Sequence, residues 1–271
     1  YKPVYEIKGL AGATFEVRAA ENVYTLDGVL HYAKGELIDT ITTEADGIAT
    51  SKALYLGKYD VQEVTAPYGM VLNSKIQTVE LVYAGQEVSI TETSENLYND
   101  RQKVKVSLSK VLEQNELFGI GMNGELASIT FGLYTETDLV AADGTMIPAG
   151  GLSVCSTDLP FGSFYLQERS TDDHYILSNA KYGFVFDYTT QDTAVVELTV
   201  NNGAAIENNL KYGSVSGLKL DEDGKTIAGA VFGLFRNDEN EYSRENALLI
   251  AESAQDGTFR FDAVPYGTWV V

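Results

Sequence analysis

The chain has 271 residues, 39 of them acidic and 19 basic, for a formal net charge of −20. Such a surface repels phosphate backbones and anionic lipid faces, which argues against nucleic acid and membrane surfaces as partners. Hydrophobic residues make up 44%, enough for packed cores and too many for a disordered linker, and no apolar run approaches the length of a membrane span.

Along the chain, short Val/Ile/Thr/Tyr-rich runs alternate with Gly-containing turns, and helical periodicity is almost absent. Asp27-Gly28, Asp46-Gly47, Asp143-Gly144, Asp223-Gly224 and Asp256-Gly257 are turn signals. After Lys2, the first expected strand of small residues is Leu10-Ala11-Gly12-Ala13-Thr14-Phe15-Glu16-Val17. Gly57-Lys58-Tyr59-Asp60-Val61-Gln62-Glu63 follows, leading into Ala66-Pro67-Tyr68-Gly69 and a strand that ends at Leu97-Tyr98-Asn99. The same order returns with a strand over Val104–Lys110, a longer loop over Leu112–Glu125, and the strands Leu126–Leu133, Gly162–Glu168 and Ile206–Asn208. A third set begins with Lys219, continues through Ile227–Leu234 and reaches Gly267-Thr268-Trp269-Val270-Val271.

These landmarks form an internal repeat. Gly57 to Gly162 and Gly162 to Gly267 are each 105 residues, a period in the usual range of domain sizes. Several short strands per repeat, with turns at regular intervals, predict an all-β sandwich for each unit. The chain opens and closes inside a repeat, so any targeting segment is expected outside it. Cys155 is the only cysteine, which excludes an intrachain disulfide and a cysteine-built metal site. It reads as a small buried hydrophobe. His31 and His174 read as solvated loop residues, and no metal or cofactor site is expected.

The chemistry lies in strand parity. Side chains alternate with period two, so Val104, Val106, Leu108 and Lys110 share one face. Tyr59, Val61 and Glu63 share a face, as do Phe164, Leu166 and Glu168; Leu97 likewise pairs with Asn99, and Ile206 with Asn208. An amine, a carboxyl and a carboxamide are thus directed at one core. Spacing repeats the trio: Lys2 to Ala13, Lys219 to Ala230, Asn99 to Lys110 and Asn208 to Lys219 are each 11 residues. Burial lowers a lysine pKa and raises that of a glutamic acid, so a buried pair can exist as neutral amine and neutral acid. A neutral amine is a nucleophile, and a protonated Glu can polarise a carboxamide carbonyl and shuttle protons. Attack on the Asn side-chain carbon, with loss of ammonia, would leave an amide between two strands. Read singly, each lysine is a strand-end residue reaching solvent, each Glu a surface charge and each Asn a turn residue.

Lys, then Leu-Ala-Gly-Ala-x-Phe, then Gly-x-Tyr-x-Val-x-Glu-x-x-Ala-Pro-x-Gly, then a terminal Asn: the pattern resembles the Cna B-type (SpaA-like, prealbumin-like) domain. That family builds stalks and shafts of Gram-positive surface adhesins and sortase-assembled pilins. The resemblance implies tandem Ig-like or prealbumin-like β-sandwiches of about 105–110 residues. Their expected bounds are 1–101, 102–210 and, truncated, 211–271. It also implies spontaneous isopeptide bonds Lys2–Asn99, assisted by Glu63, and Lys110–Asn208, assisted by Glu168. Lys219 would start a third set whose partners lie outside this sequence. The second repeat departs from the pattern: it lacks the Asp-Gly turn before its apolar-Gly strand and carries Thr171-Asp172-Asp173-His174 in place of Ala-Pro-x-Gly. Asn208 and Asn209 are adjacent there; parity with Ile206 favours Asn208.

The reading that follows is a structural rod segment of an extracellular, cell-wall-anchored protein. Its partners are neighbouring domains, sortase-linked pilin subunits or the cell wall. The alternative is a binding module that meets a host protein or glycan through its most variable segments, Glu21–Ile38 and Asn115–Glu125. An enzyme is not expected: no nucleophile with a His partner, metal cluster or phosphate loop is recognisable.

Overall fold

The computed structural model describes residues 2–88, 91–139 and 152–271, with 152–157 described by backbone alone. The Asp143-Gly144 turn and the Cys155 side chain lie outside the described residues. In the first repeat the strands are β1 (Thr14–Ala19), β2 (Val23–Tyr24), β3 (Leu30–Tyr32), β4 (Leu37–Thr42), β5 (Gly57–Thr65) and β6 (Gln77–Leu81). The second repeat contains β7 (Lys103–Leu112), β8 (Thr130–Thr135), β9 (Leu152–Thr157), β10 (Gly162–Ser170), β11 (Lys181–Phe186), β12 (Val195–Thr199) and β13 (Ile206–Asn208). The third contains β14 (Tyr212–Leu218), β15 (Val231–Arg236), β16 (Leu249–Glu252), β17 (Thr258–Pro265) and β18 (Trp269–Val270).

The second repeat is the most complete sandwich. One sheet has the order β11-β10-β8, and the other is built on β7, which pairs with β12 and β13 in parallel and with β9 antiparallel. Between them lie Val104, Val106 and Leu108 from β7, Phe131 and Leu133 from β8, Phe164 and Leu166 from β10, and Phe186 from β11. Alternation does the sorting. Successive residues of β7 are buried and less buried in turn, so every second side chain enters the core. Gly57, Gly162 and Gly267 all take φ between 153° and 159°, so the residues that mark the 105-residue period hold one shared backbone conformation that side chains disfavour.

The strands of small residues are shorter than their sequence suggests. β1 and β15 begin at Thr14 and Val231, because Gly12 and Gly229, both at positive φ, turn the chain just before. In the second repeat a 3₁₀ turn, Glu125–Ser128, occupies the corresponding stretch. The substituted Thr171-Asp172-Asp173-His174 keeps the turn it replaces. Tyr175 N–H donates to Asp172 O as Met70 N–H donates to Pro67 O. His31 lies in β3, not in a loop, and stacks on Tyr55 at 3.8 Å.

Two further expectations change. Among the described residues no strand occurs over 2–13 or over 82–100. These are the first and last segments of the first repeat, counterparts of β7 and β13, which are each other's ladder partners in the second. With neither forming the ladder, neither is a strand. The Asn115–Glu125 loop is not free either. Phe118 and Ile120 are buried with Tyr175, Leu210, Leu234, Phe261 and Val264 in one cluster that joins the second repeat to the third.

The junction between the first and second repeats combines hydrogen bonds with an aromatic contact of Tyr68 against Phe161 and Tyr188. Gln191 accepts from Ala66 N–H and donates to Val64 O, and its own carbonyl accepts from Leu72 N–H. Beside it, fully buried Gln102 has Thr189 Oγ1, Thr190 O and Thr193 O within hydrogen-bond distance of its two N–H groups and accepts from Thr189 N–H, which satisfies its amide without a charge.

Candidate functional site

Lys110, Glu168 and Asn208 are all buried in the second repeat, at 0%, 4% and 1% exposure. Lys110 is the fourth member of the inward row of β7. Glu168 reaches the trio from β10 in the facing sheet, opposite Phe131 of β8. Asn208 ends β13, whose Ile206 pairs with Lys110. Asn209 falls on the other parity, outside the strand.

The amine is held by two carbonyls. Lys110 Nζ donates to Val111 O at 2.8 Å and to Ile206 O at 2.9 Å. When the amine is neutral its two N–H groups match these two carbonyls, which leaves the lone pair unengaged in that form. Burial pulls the Lys110 pKa down to about 8, against the opposing pull of the Glu168 and Glu207 charges.

The carboxamide meets the acid through nitrogen. Asn208 Nδ2 lies 3.0 and 2.9 Å from the Glu168 carboxylate oxygens and donates to Ile176 O at 3.0 Å. A backbone carbonyl can only accept, so the Ile176 contact fixes which end of the amide is nitrogen. Glu168 therefore sits against the amide nitrogen, not against the carbonyl oxygen that sequence reasoning assigned to it. Asn208 Oδ1 is buried without a hydrogen-bond partner. Ser178 N–H donates to Glu168 Oε2 at 2.8 Å, the same oxygen that lies 2.9 Å from Asn208 Nδ2.

The first repeat reproduces this network. Asn99 Nδ2 lies 2.9 and 2.7 Å from the oxygens of buried Glu63 and donates to Val71 O at 3.0 Å, while Asn73 N–H donates to Glu63 at 2.7 Å. Val71 and Ile176 each lie eight residues past their Glu, and Asn73 and Ser178 each lie ten past it. Lys2 departs from the expected position: it is exposed, outside any strand, with no hydrogen bond to Glu63 or Asn99 among the described residues. The segment it belongs to is nevertheless in register. Three residues on, Tyr5 has the Arg101 guanidinium 3.3 Å from its ring centre and donates to Asp158 O. Arg101 lies two residues past Asn99. In the second repeat Glu113, three past Lys110, accepts from the N–H of Leu210, two past Asn208, at 2.7 Å. Both junctions also carry the same isolated bridge, Met70 to Arg101 and Tyr175 to Leu210.

Lys219 follows β14 on the parity of Val215 and Gly217 and is partly buried, its N–H donating to Gly257 O. Sequence reasoning missed the carbonyl acceptors and the N–H anchors, because backbone groups leave no mark on residue identity. No cluster of metal-binding side chains occurs among the described residues.

A family model of the SpaA prealbumin-like fold domain matches residues 5–96 and 213–271. Comparison with curated protein sequences finds no match. Among solved structures the chain is similar to the Bacillus anthracis TIE protein, with 19% identity and a TM-score of 0.62 over 99% of this chain and 43% of that one. The chain thus spans less than half of that protein, and at this identity the likeness is one of fold. It is also similar to a Streptococcal ancillary pilin, with 16% identity, a TM-score of 0.30 and coverage of 97% and 83%. A third is BcpA, the major pilin subunit of Bacillus cereus, with 13% identity, a TM-score of 0.31 and coverage of 99% and 84%.

Proposed function

Because the chain belongs to the family of SpaA prealbumin-like fold domains, we propose that it is a rod segment of a Gram-positive surface adhesin or pilin, stiffened by Lys–Asn amide bonds. The division into units 1–101, 102–210 and 211–271 is part of this proposal. The observation that carries it is the duplicated Glu–Asn network, with the Lys110 amine buried in the same core of the second repeat and its pKa lowered by that burial. Lys110 attacks Asn208 with Glu168 as proton carrier, and Lys2 attacks Asn99 with Glu63 in that role. Lys219 begins a third set. The chemistry is a single intramolecular event, not turnover. Its product is a covalent tie closing 97 or 98 residues of separation. By analogy with a disulfide, such a tie stabilises by about 4–5 kcal/mol through chain entropy.

The role places the protein outside the cell, attached to the wall, with neighbouring domains and sortase-linked subunits as partners. Intact mass in denaturant tests the chemistry: each bond removes one ammonia, about 17 Da, so two remove about 34 Da. A full calculated mass would refute the cross-linked rod.

One observation favours a second reading, recognition of a host protein or glycan. The variable segment 21–38 leaves Tyr24, Leu26, Val29 and Leu30 exposed around β2 and β3. Replacing these four by Ser should abolish host-matrix adhesion if they bind; unchanged adhesion removes this reading.

A further inference from the structure

We propose that the second repeat holds the departing nitrogen of Asn208 in a three-legged acceptor cradle, in which the Thr171 hydroxyl is a leg that the first repeat lacks. The inference rests on the amide-forming reaction proposed above and concerns how the leaving group is expelled.

Asn208 Nδ2 has four acceptor atoms around it: Glu168 Oε1 at 3.0 Å, Glu168 Oε2 at 2.9 Å, Ile176 O at 3.0 Å and Thr171 Oγ1 at 3.3 Å. A planar carboxamide has two N–H groups, so three acceptor groups exceed what the ground state uses. The surplus fits what the nitrogen becomes. A bond forms between Lys110 Nζ and Asn208 Cγ. One amine proton passes through the Glu168 carboxylate to Nδ2, which is now tetrahedral. The Cγ–Nδ2 bond then breaks, its electron pair leaves with nitrogen, and ammonia departs. At that moment nitrogen carries three N–H groups, and Glu168, Ile176 and Thr171 supply one acceptor each. Interactions stronger in the transition state than in the ground state are the ones that accelerate a step.

The carbonyl side points the same way. Asn208 Oδ1 is buried without a hydrogen-bond partner. The described residues therefore provide no oxyanion hole, the usual aid to a tetrahedral intermediate. What stabilisation the site offers is concentrated on the leaving nitrogen.

The first repeat has the same arrangement less one leg. Glu63 and Val71 O surround Asn99 Nδ2. The residue three past the Glu, Thr171 in the second repeat, is Ala66 in the first, whose methyl accepts nothing. The substitution of Ala-Pro-x-Gly by Thr-Asp-Asp-His thus adds an acceptor to the site as well as preserving the turn.

The test is a time course of ammonia loss in the whole chain. The protein is made by cell-free synthesis in the cold, warmed, quenched in denaturant at intervals and weighed, and the cross-linked peptides of each repeat are quantified after digestion. Thr171→Ala and the isosteric Thr171→Val should each slow bond formation in the second repeat about tenfold, the worth of one well-placed hydrogen bond to a developing charge. Thr171→Ser should restore the rate, and the first repeat's rate should not move in any variant. A Thr171→Val chain that cross-links at the wild-type rate overturns the cradle. A wild-type chain that never loses mass overturns the underlying reaction, so the two failures are distinguishable. Equal slowing by Val and Ser would mean that Thr171 matters for packing, and would also overturn the proposal.

Discussion

Removing the Phe118 ring should loosen the third repeat, although Phe118 belongs by sequence to the second. The ring is 5% exposed and meets Trp269 edge-on at 4.9 Å, within the cluster of Tyr175, Leu210, Leu234, Phe261 and Val264. A buried Phe→Ala change costs about 3–5 kcal/mol. Phe118 rides on a loop that can settle partly into the space, so the low end applies: about 3 kcal/mol, or roughly a 150-fold rise in local opening. Peptide-resolved hydrogen exchange on the whole chain reads this directly. In Phe118→Ala, peptides from β14, β15 and β17 should exchange faster, while those from β7, β8 and β10 keep their protection, because the second repeat's own core contains no part of this ring. The reasoning fails if exchange rises only in β7, β8 and β10, or nowhere. Either result would mean that the loop is an ornament of the second repeat and not a strut between two.

Further predictions address the trio. Glu168→Gln and Lys110→Met should each remove the second repeat's mass deficit of about 17 Da and leave the first repeat's intact; intact-mass measurement decides. The rate of bond formation in the second repeat should rise about tenfold per pH unit up to about pH 8 and then level, because only the neutral amine attacks and the Lys110 pKa is lowered by burial to about 8. A rate independent of pH from 6 to 8 would count against amine attack. In Asn208→Leu, where Lys110 stays free, the folded pKa of about 8 lies below the ordinary lysine value of 10.5. The unfolded chain then binds more protons within that window, so stability should rise with pH from about 8 to 10.5. Denaturant titrations at both ends, compared with the Lys110→Met/Asn208→Leu double variant, isolate the effect; a flat difference refutes it.

Much of this was legible because it rests on periodicities. The 105-residue step survives as one shared glycine conformation, and the period of two put Lys110, Glu168 and Asn208 inside on the strength of their apolar neighbours. What escaped notice depends on partners distant in sequence or on atoms common to every residue. Lys2 has the right spacing, yet a strand is a property of a pair, and its partner segment before Asn99 forms no ladder. The Asn115–Glu125 loop reads as a variable segment; nothing local says that Phe118 and Ile120 would find Leu234 and Phe261, more than a hundred residues away. Orientation of the Asn208 amide depends on Ile176 O, a backbone atom that any residue would supply.

The placement of the proposed tie explains why it suits a chain under tension. β7 and β13 run parallel, with Lys110 near the C-terminal end of one and Asn208 at the C-terminal end of the other. In the proposed rod, tension from the preceding repeat would reach β7 at Lys103 and leave through Asn208 toward β14. With a bond between Lys110 and Asn208, load would travel along β7, cross at the tie and exit within one residue, bypassing residues 111–207. The ladders that join β7 to β12 and β9 lie upstream of the tie and are not asked to slide apart. Past the proposed tie, Glu113 accepts from Leu210 N–H and from the Tyr212 hydroxyl, and Tyr175 bridges to Leu210, so the first strand of the third repeat is received by a junction anchored on the second. Stiffness between repeats and strength within them then come from one short stretch, residues 110–120. A Glu113→Ala variant separates the two: it should leave the mass deficit whole while raising the bending freedom between the second and third repeats, as read by small-angle scattering. Loss of the deficit in that variant would show that the junction and the bond cannot be separated.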